Sequence, residues 1–285
     1  MALISTYPER LIERTPLPGH LREFLAFGLK EAQSCVFAGS FFALLFISTQ
    51  IRTDAIHRYD LILIGAIIIQ IVLIASGIES RDELKMIAAF HVIGLVLELY
   101  KTHPAIGSWS YPEDGLTKIG GVPLYSGFMY SAVGSYIAQA WRRLDLRITR
   151  YPSRLITAAL CVAIYVNFFT NQFLYDIRYW LIGAVVAVFA RSRVYFTPLH
   201  RTYWMPVWLS FGLIAAFVWV AENISTFFGA WQYPNQSQGW DVVDLSKLVS
   251  WSLLVILSFV LIAELRHIKD GRSKGKHKMN EILPR

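Results

Sequence analysis

Eight stretches of mostly apolar residues, at 32–51, 60–77, 84–101, 122–141, 154–172, 177–192, 204–226 and 246–265, occupy most of the chain. A helix needs about 20 such residues to cross the hydrocarbon of a bilayer, and it satisfies its backbone N–H and C=O groups within the segment. The runs are continuous rather than alternating, which excludes a β-barrel. Only 16% of the residues are charged, against about 25% in soluble domains. The expected fold class is all-α, a polytopic membrane bundle of about eight transmembrane helices.

The chain also repeats itself. Glu98 to Pro112 reads E-L-Y-K-T-H-P-A-I-G-S-W-S-Y-P, and Glu222 to Pro234 reads E-N-I-S-T-F-F-G-A-W-Q-Y-P. Each copy has a carboxylate just inside an apolar stretch and Gly-x-Trp-x-Tyr-Pro just outside it. Gly107 and Gly229, Trp109 and Trp231, Tyr111 and Tyr233, and Pro112 and Pro234 are each 122 apart, while the two glutamates are 124 apart. Shifted by 122, the first four apolar stretches fall on or near the last four. The expected organisation is two tandem four-helix repeats, 32–141 and 154–266, joined by a basic cytoplasmic linker at 142–153. An amphipathic N-terminal arm (1–31) carries Leu21, Phe24, Leu25 and Leu29 at helical spacing and lacks the apolar core of a signal peptide. A basic tail (267–285) follows the second repeat. An even number of helices per unit gives the two units the same orientation.

Of the 27 Lys and Arg residues, 21 fall on one side of that topology. The positive-inside rule then places both termini in the cytoplasm, in a multi-pass protein of the cell (inner) membrane, with both aromatic loops facing out. The net charge of +7 follows from this distribution and is no sign of nucleic acid.

Polar residues gather at the outward ends of the stretches. Glu98 lies about one turn inside its stretch, with His91 two turns below on the same face. Glu222 ends the seventh stretch, Asn167 and Asn171 end the fifth, and Tyr125 starts the fourth. An ionisable side chain in a membrane helix is costly facing lipid and normally faces the bundle interior. Glu98, Glu222 and His91 are thus the candidate catalytic residues. Trp109, Tyr111, Trp231, Tyr233, Asn167, Asn171 and Tyr125 are the candidate substrate-binding residues. Plainer readings stand beside these. A single Glu near a helix end can snorkel to the headgroups, and Trp and Tyr commonly anchor helices at the interface. The repeated Gly and Pro around the aromatics are not explained by anchoring. Small residues Gly127, Ser131, Gly134 and Ser135 in the fourth stretch suit close helix packing.

No H-x-x-H or Cys-His cluster, phosphate-binding Gly loop or G-x-S-x-G motif is present. No metal and no cofactor is expected. Cys35 and Cys161 read as two small buried residues. The expected partners are the lipid bilayer and a lipid-like or small-molecule substrate, with no nucleic acid.

The run K-T-H-P-A-I-G-S-W-S-Y-P-E-D-G-L-T-K-I-G-G-V-P-L-Y-S-G-F-M-Y, with the later E-N-I-S-T-F-F-G-A-W-Q-Y-P, resembles the YoaT-like family of bacterial multi-pass membrane proteins of unknown function. That resemblance implies a membrane location and no activity. A more local similarity, through Glu98, Gly107, Trp109, Tyr111 and Gly121-Val122-Pro123, is to carotenoid-hydratase-like membrane proteins. The second half departs from their pattern, with D-V-V-D-L-S in place of Gly-Val-Pro.

Three functions fit these features. The first is an intramembrane enzyme acting on a lipid or isoprenoid-like substrate through paired glutamates. The second is a proton-coupled transporter of a small solute, for which the inner half offers few polar residues beyond Gln139. The third is a membrane scaffold with outward-facing loops.

Overall fold

The computed structural model describes residues 9–51 and 55–263; residues 1–8, 52–54 and the expected basic tail lie outside the described residues. The chain is mostly helical. In order, the helices are α1 (Gly19–Ser34), α2 (Val36–Gln50), α3 (Arg58–Ala75), α4 (Arg81–Lys101), α5 (Ser126–Arg143), α6 (Arg154–Thr170), α7 (Arg178–Phe189), α8 (Val207–Phe227) and α9 (Ser246–Ala263). Each expected apolar stretch falls on one of these helices.

Length and composition allow α3, α8 and α9 to cross a membrane, and α1 with α2, bent by 60° at their junction, gives a fourth candidate span. On α3, Ile64, Ile67, Ile68, Ile71 and Val72 form an exposed apolar row. Such a row is poorly suited to water and well suited to lipid. The arm expected to end at residue 31 continues as α1 to Ser34. Glu23 of α1 is buried and accepts the backbone N–H groups of Leu199, His200 and Arg201 at 3.0–3.2 Å. This ties the N-terminal region to the second half of the chain. Cys35, at the α1–α2 bend, is exposed and Cys161 is half-buried, so neither is the fully buried small residue expected. The bend turns the Cys35 position outward.

Helices α4 and α5 are more polar than those candidates, and they pack closely together. The start of α4 is fixed by a capping box, in which Ser80 N–H donates to Glu83 Oε2 at 2.6 Å and Glu83 N–H to Ser80 Oγ at 3.2 Å. Three glycines allow the close approach. A Cβ on Gly94 would stand 2.4 Å from the Tyr130 ring, one on Gly127 2.6 Å from His91, and one on Gly134 2.6 Å from Phe90. Ser131 Oγ donates to Ile87 O across the same seam at 3.0 Å. One apolar cluster joins α4 and α5 to α6–α9; the other packs α2 and α3 against the two aromatic loops.

Small strands appear that the apolar pattern does not announce. β1 (Lys118–Ile119) pairs with β2 (Val122–Pro123), so residues 122–123 precede the fourth helix instead of starting it. β3 (Arg147–Thr149), β4 (Arg193–Phe196) and β5 (Tyr203–Pro206) form an antiparallel sheet in the order β3-β4-β5. The expected linker therefore contributes a strand to a sheet shared with the second half. Helix α5 leads from the aromatic loops to β3, and α8 leads from β5 back to Glu222. The sheet and the loops thus lie at opposite ends of the helices.

Candidate functional site

Glu98 sits three residues before the end of α4 and is buried. Beyond it the chain reverses through Gly107, whose φ of +56° favours a residue without a Cβ. The reversal returns two aromatics to the carboxylate. Trp109 Nε1 donates to Glu98 Oε2 at 2.6 Å and Tyr111 OH to the same oxygen at 2.8 Å. Tyr130, from the facing side of α5, donates to Oε1 at 2.9 Å. All three donors are neutral.

Glu222 on α8 is equally buried and is held by two such donors. Tyr233 OH donates to Oε1, and Trp251 Nε1, from α9, donates to Oε2. The turn before Tyr233 uses Gly229 at φ +66°. Ser108 N–H donates to Lys101 O at 2.9 Å in the first loop, and Ala230 N–H to Ser225 O at 2.9 Å in the second. The loops close alike, with the first carrying two more residues inside its turn.

The two cages interlock. Trp109, which holds Glu98, meets Tyr233, which holds Glu222, edge to face with ring centres 6.2 Å apart. Tyr130 and Trp251 also meet, with their rings tilted by 43° and their centres 6.5 Å apart. Burial and the neighbouring Glu98 push the Tyr111 hydroxyl well above its ordinary value, and burial with Glu222 does the same for Tyr233. Both stay protonated and remain donors.

The remaining expected site residues divide. Tyr125 is fully buried beside the cages, its hydroxyl donating to Ala230 O, and Trp231 is buried in the same aromatic cluster. His91 does not reach either cage. It lies against Gly127 and Phe128, seven residues and therefore about 10 Å below Glu98 along the axis, and its Nδ1 has no partner. Asn167 serves the loop before α7, accepting Ile177 N–H at 3.0 Å and donating to Asp176 at 3.2 Å. Asn171 accepts from Lys101 Nζ at 3.0 Å.

Tyr130 and Trp251 were not among the expected site residues. Their only signal was a polar-tipped aromatic inside a run otherwise free to be aliphatic. Beside them a cavity of about 280 Å³ opens between α4, α5, α6 and α9. Its wall is nearly all apolar, including Phe90, Ile93, Leu97, Tyr165 and Leu257, and Tyr130 forms part of it. Ile93 and Tyr165, 37% and 39% exposed, mark its open side.

At the other end of α4 a second buried carboxylate was also missed. Glu79 accepts from Ser135 Oγ and Gln70 Nε2. The neighbouring Ile78 carbonyl accepts from Gln139 at 2.8 Å and Arg142 at 2.6 Å, and Arg142 lies 3.6 Å from Glu83. Burial raises Glu79 above the ordinary carboxylate value of 4.5, against the two hydrogen bonds. Among the described residues, no group of three or more His, Cys, Asp or Glu could hold a metal ion.

The uncharacterized protein YoaT of Bacillus subtilis (strain 168) is 49% identical over 261 residues, covering 92% of this chain and 98% of that protein. The crystal structure of a cross-linked MvINS variant trimer aligns with 64% of this chain and 93% of its own, at 13% identity and a TM-score of 0.46. A likeness that distant carries no argument. These comparisons give no support to a similarity with carotenoid-hydratase-like proteins. The model of the family described as "Protein of unknown function (DUF817)" matches residues 23–259, and the chain belongs to that family.

Proposed function

We propose that this chain is an eight-span protein of the cell membrane, built as two tandem four-helix units with both termini cytoplasmic. We infer further that it is an intramembrane enzyme for a lipid or isoprenoid-like substrate, with Glu98 and Glu222 as its proton-transfer pair. The observation that carries this reading is the apolar cavity of about 280 Å³ whose wall includes Tyr130, the residue that donates to Glu98. The interlocked cages and the like closure of the two loops support the tandem arrangement. The Arg-bearing β3-β4-β5 sheet, at the end opposite the cages, supports the orientation.

The reaction class that suits two carboxyl groups with neutral donors is isomerisation or hydration of a double bond. In isomerisation the protonated carboxyl adds its proton to one alkene carbon. The other carboxylate removes a proton from the carbon next to the cation, so the double bond moves and the enzyme's proton count is restored. The test is turnover of bacterial lipid extracts by the purified protein, read by mass spectrometry. Glu98→Gln and Glu222→Gln should each abolish any conversion while leaving the protein folded. Conversion at the wild-type rate by both variants would overturn the reading.

A second reading, proton-coupled transport, gains from Glu79, which gives the inner half the buried carboxylate that the sequence pattern lacked. Proton-driven uptake of a solute into proteoliposomes, lost in both Glu79→Gln and Glu98→Gln, would favour it over the enzyme.

A further inference from the structure

The cavity between α4, α5, α6 and α9 opens about halfway along its helices. Ile93 of α4, Tyr165 of α6 and Leu257 of α9 each stand within three residues of the middle of their helices. The opening by Ile93 and Tyr165 is flanked by exposed apolar residues on both helices, Val92 and Val96 on α4 and Val162 and Val166 on α6. Those valines are poorly suited to water and well suited to lipid. In a bundle that crosses a bilayer, the opening therefore lies near the midplane, about 15 Å from either headgroup layer. Lipids present the ends of their chains at that depth and keep their heads away from it.

The wall is matched to a chain end and to nothing charged. Among the described residues it holds no charged side chain. Its buried hydroxyls are already engaged: Tyr130 donates to Glu98 at 2.9 Å and Ser258 to Leu254 O at 3.0 Å. A charged or strongly polar group brought inside loses its hydration and finds no partner in exchange. An apolar cavity of about 150 Å³ takes a benzene ring, so one of about 280 Å³ holds about ten carbon atoms. Left empty, the surrounding side chains forfeit dispersion contacts that a hydrocarbon restores.

We propose that this cavity binds the methyl end of a membrane lipid's hydrocarbon chain. About the last ten carbons enter by Ile93 and Tyr165, and the head stays at the bilayer surface. The site recognises the chain and is indifferent to the head. The carbons that reach Tyr130 are then the ones farthest from the head. This names the part of the substrate that meets the site in the enzyme reading, and it rests on that reading for the chemistry but not for the binding.

The test uses the full wild-type chain in liposomes and two photoreactive phosphatidylcholines, with a diazirine either at the end of one chain or beside its ester. Cross-linked residues are identified by mass spectrometry. The end-labelled probe should mark the buried Tyr130 and Ser258 at least about tenfold more than the ester-labelled one, because the two positions differ by about 15 Å in depth. Equal marking of those two residues by both probes would overturn the proposal. So would an end-labelled probe found only on the outer Val92, Val96, Val162 and Val166. Phosphatidylglycerol with the same terminal diazirine should mark Tyr130 and Ser258 equally well, and hexadecane, which has no head, should compete with both lipids. A dependence on the head, or no competition by hexadecane, would overturn recognition through the chain alone. Leu257→Trp and Val133→Phe, which fill the slot from different helices, should each lower the marking about tenfold, the change that a loss of about 1.4 kcal/mol in binding produces. Unchanged marking in whichever of these variants folds would also overturn it. Marking as described, without turnover of any lipid, would refute the catalytic reading alone. Turnover without marking of Tyr130 or Ser258 would refute the chain-end site alone.

Discussion

Ser110 and Gln232 exchange both of their backbone hydrogen bonds, each N–H donating to the other's carbonyl at 2.9 Å. They are 122 positions apart, the same interval that separates Trp109 from Trp231 and Tyr111 from Tyr233. The reciprocal bridge therefore joins two positions at the interval of the sequence repeat. The aromatic loops meet across it, and the ring pairs Trp109–Tyr233 and Tyr130–Trp251 add further contacts between the two halves of the chain.

That equivalence has a measurable consequence. Gly107 and Gly229 both hold positive φ, and neither has an atom closer than 3.5 Å to an added Cβ, so strain rather than crowding sets the cost of substitution. Gly107→Ala and Gly229→Ala should each lower stability by about 1 kcal/mol, measured by thermal unfolding in detergent. A cost at one position and none at the other would contradict the equivalence.

The cage around Glu98 should also contribute to stability. In Glu98→Ala the Trp109 N–H and the Tyr111 and Tyr130 hydroxyls lose their acceptor inside the bundle. The expected destabilisation is about 3 kcal/mol, with Glu98→Gln retaining an acceptor oxygen and costing about 1 kcal/mol. Equal melting of wild type and Glu98→Ala would mean that the donors are not satisfied by this carboxylate.

The α4–α5 seam admits no added methyl group. Gly94→Ala forces a Cβ to within 2.4 Å of the Tyr130 ring. It should cost about 1–3 kcal/mol and displace the hydroxyl that serves Glu98. Gly183 on α7 has nothing within 4 Å of an added Cβ. Gly183→Ala should be neutral or stabilise by up to about 1 kcal/mol. The contrast checks whether the seam, and not helix propensity, decides the outcome.

Glu79 makes stability depend on pH. Its value in the folded protein is raised above 4.5 by burial, so the folded state holds the proton more tightly than the unfolded state. Stability should therefore fall as the pH rises from about 4.5 through the raised value. Glu79→Gln removes that dependence and should be relatively more stable toward neutral pH. Melting curves from about pH 4, near the ordinary carboxylate value, to about pH 8 will show it. A pH slope identical in the variant would assign the dependence to another group.

Much of the helical layout was legible in the chain, because a continuous apolar run of sufficient length has few alternatives to a helix. The repeated Glu and Gly-x-Trp-x-Tyr-Pro set each carboxylate close in sequence to the aromatics that hydrogen-bond it, Trp109 and Tyr111 for Glu98 and Tyr233 for Glu222. Those contacts are local, made within thirteen residues of each glutamate. The residues that stand apart from the cages depend on distant neighbours. Helical spacing put His91 below Glu98, but Gly127 of α5 decided that its ring would pack against a backbone instead of joining a cage. Asn167 and Asn171 share a face of α6, yet they serve the loop before α7 and the end of α4.

The sequence by itself determined where helices form and which carboxylates lie inside them, since both follow from hydrophobicity and local spacing. Only the tertiary structure decided which chain segments meet. It brought Tyr130 and Trp251 to the glutamates and Gln70 and Ser135 to Glu79. Helix order around a bundle is set by close side-chain packing across the seams, and periodicity along one helix carries no record of its neighbour.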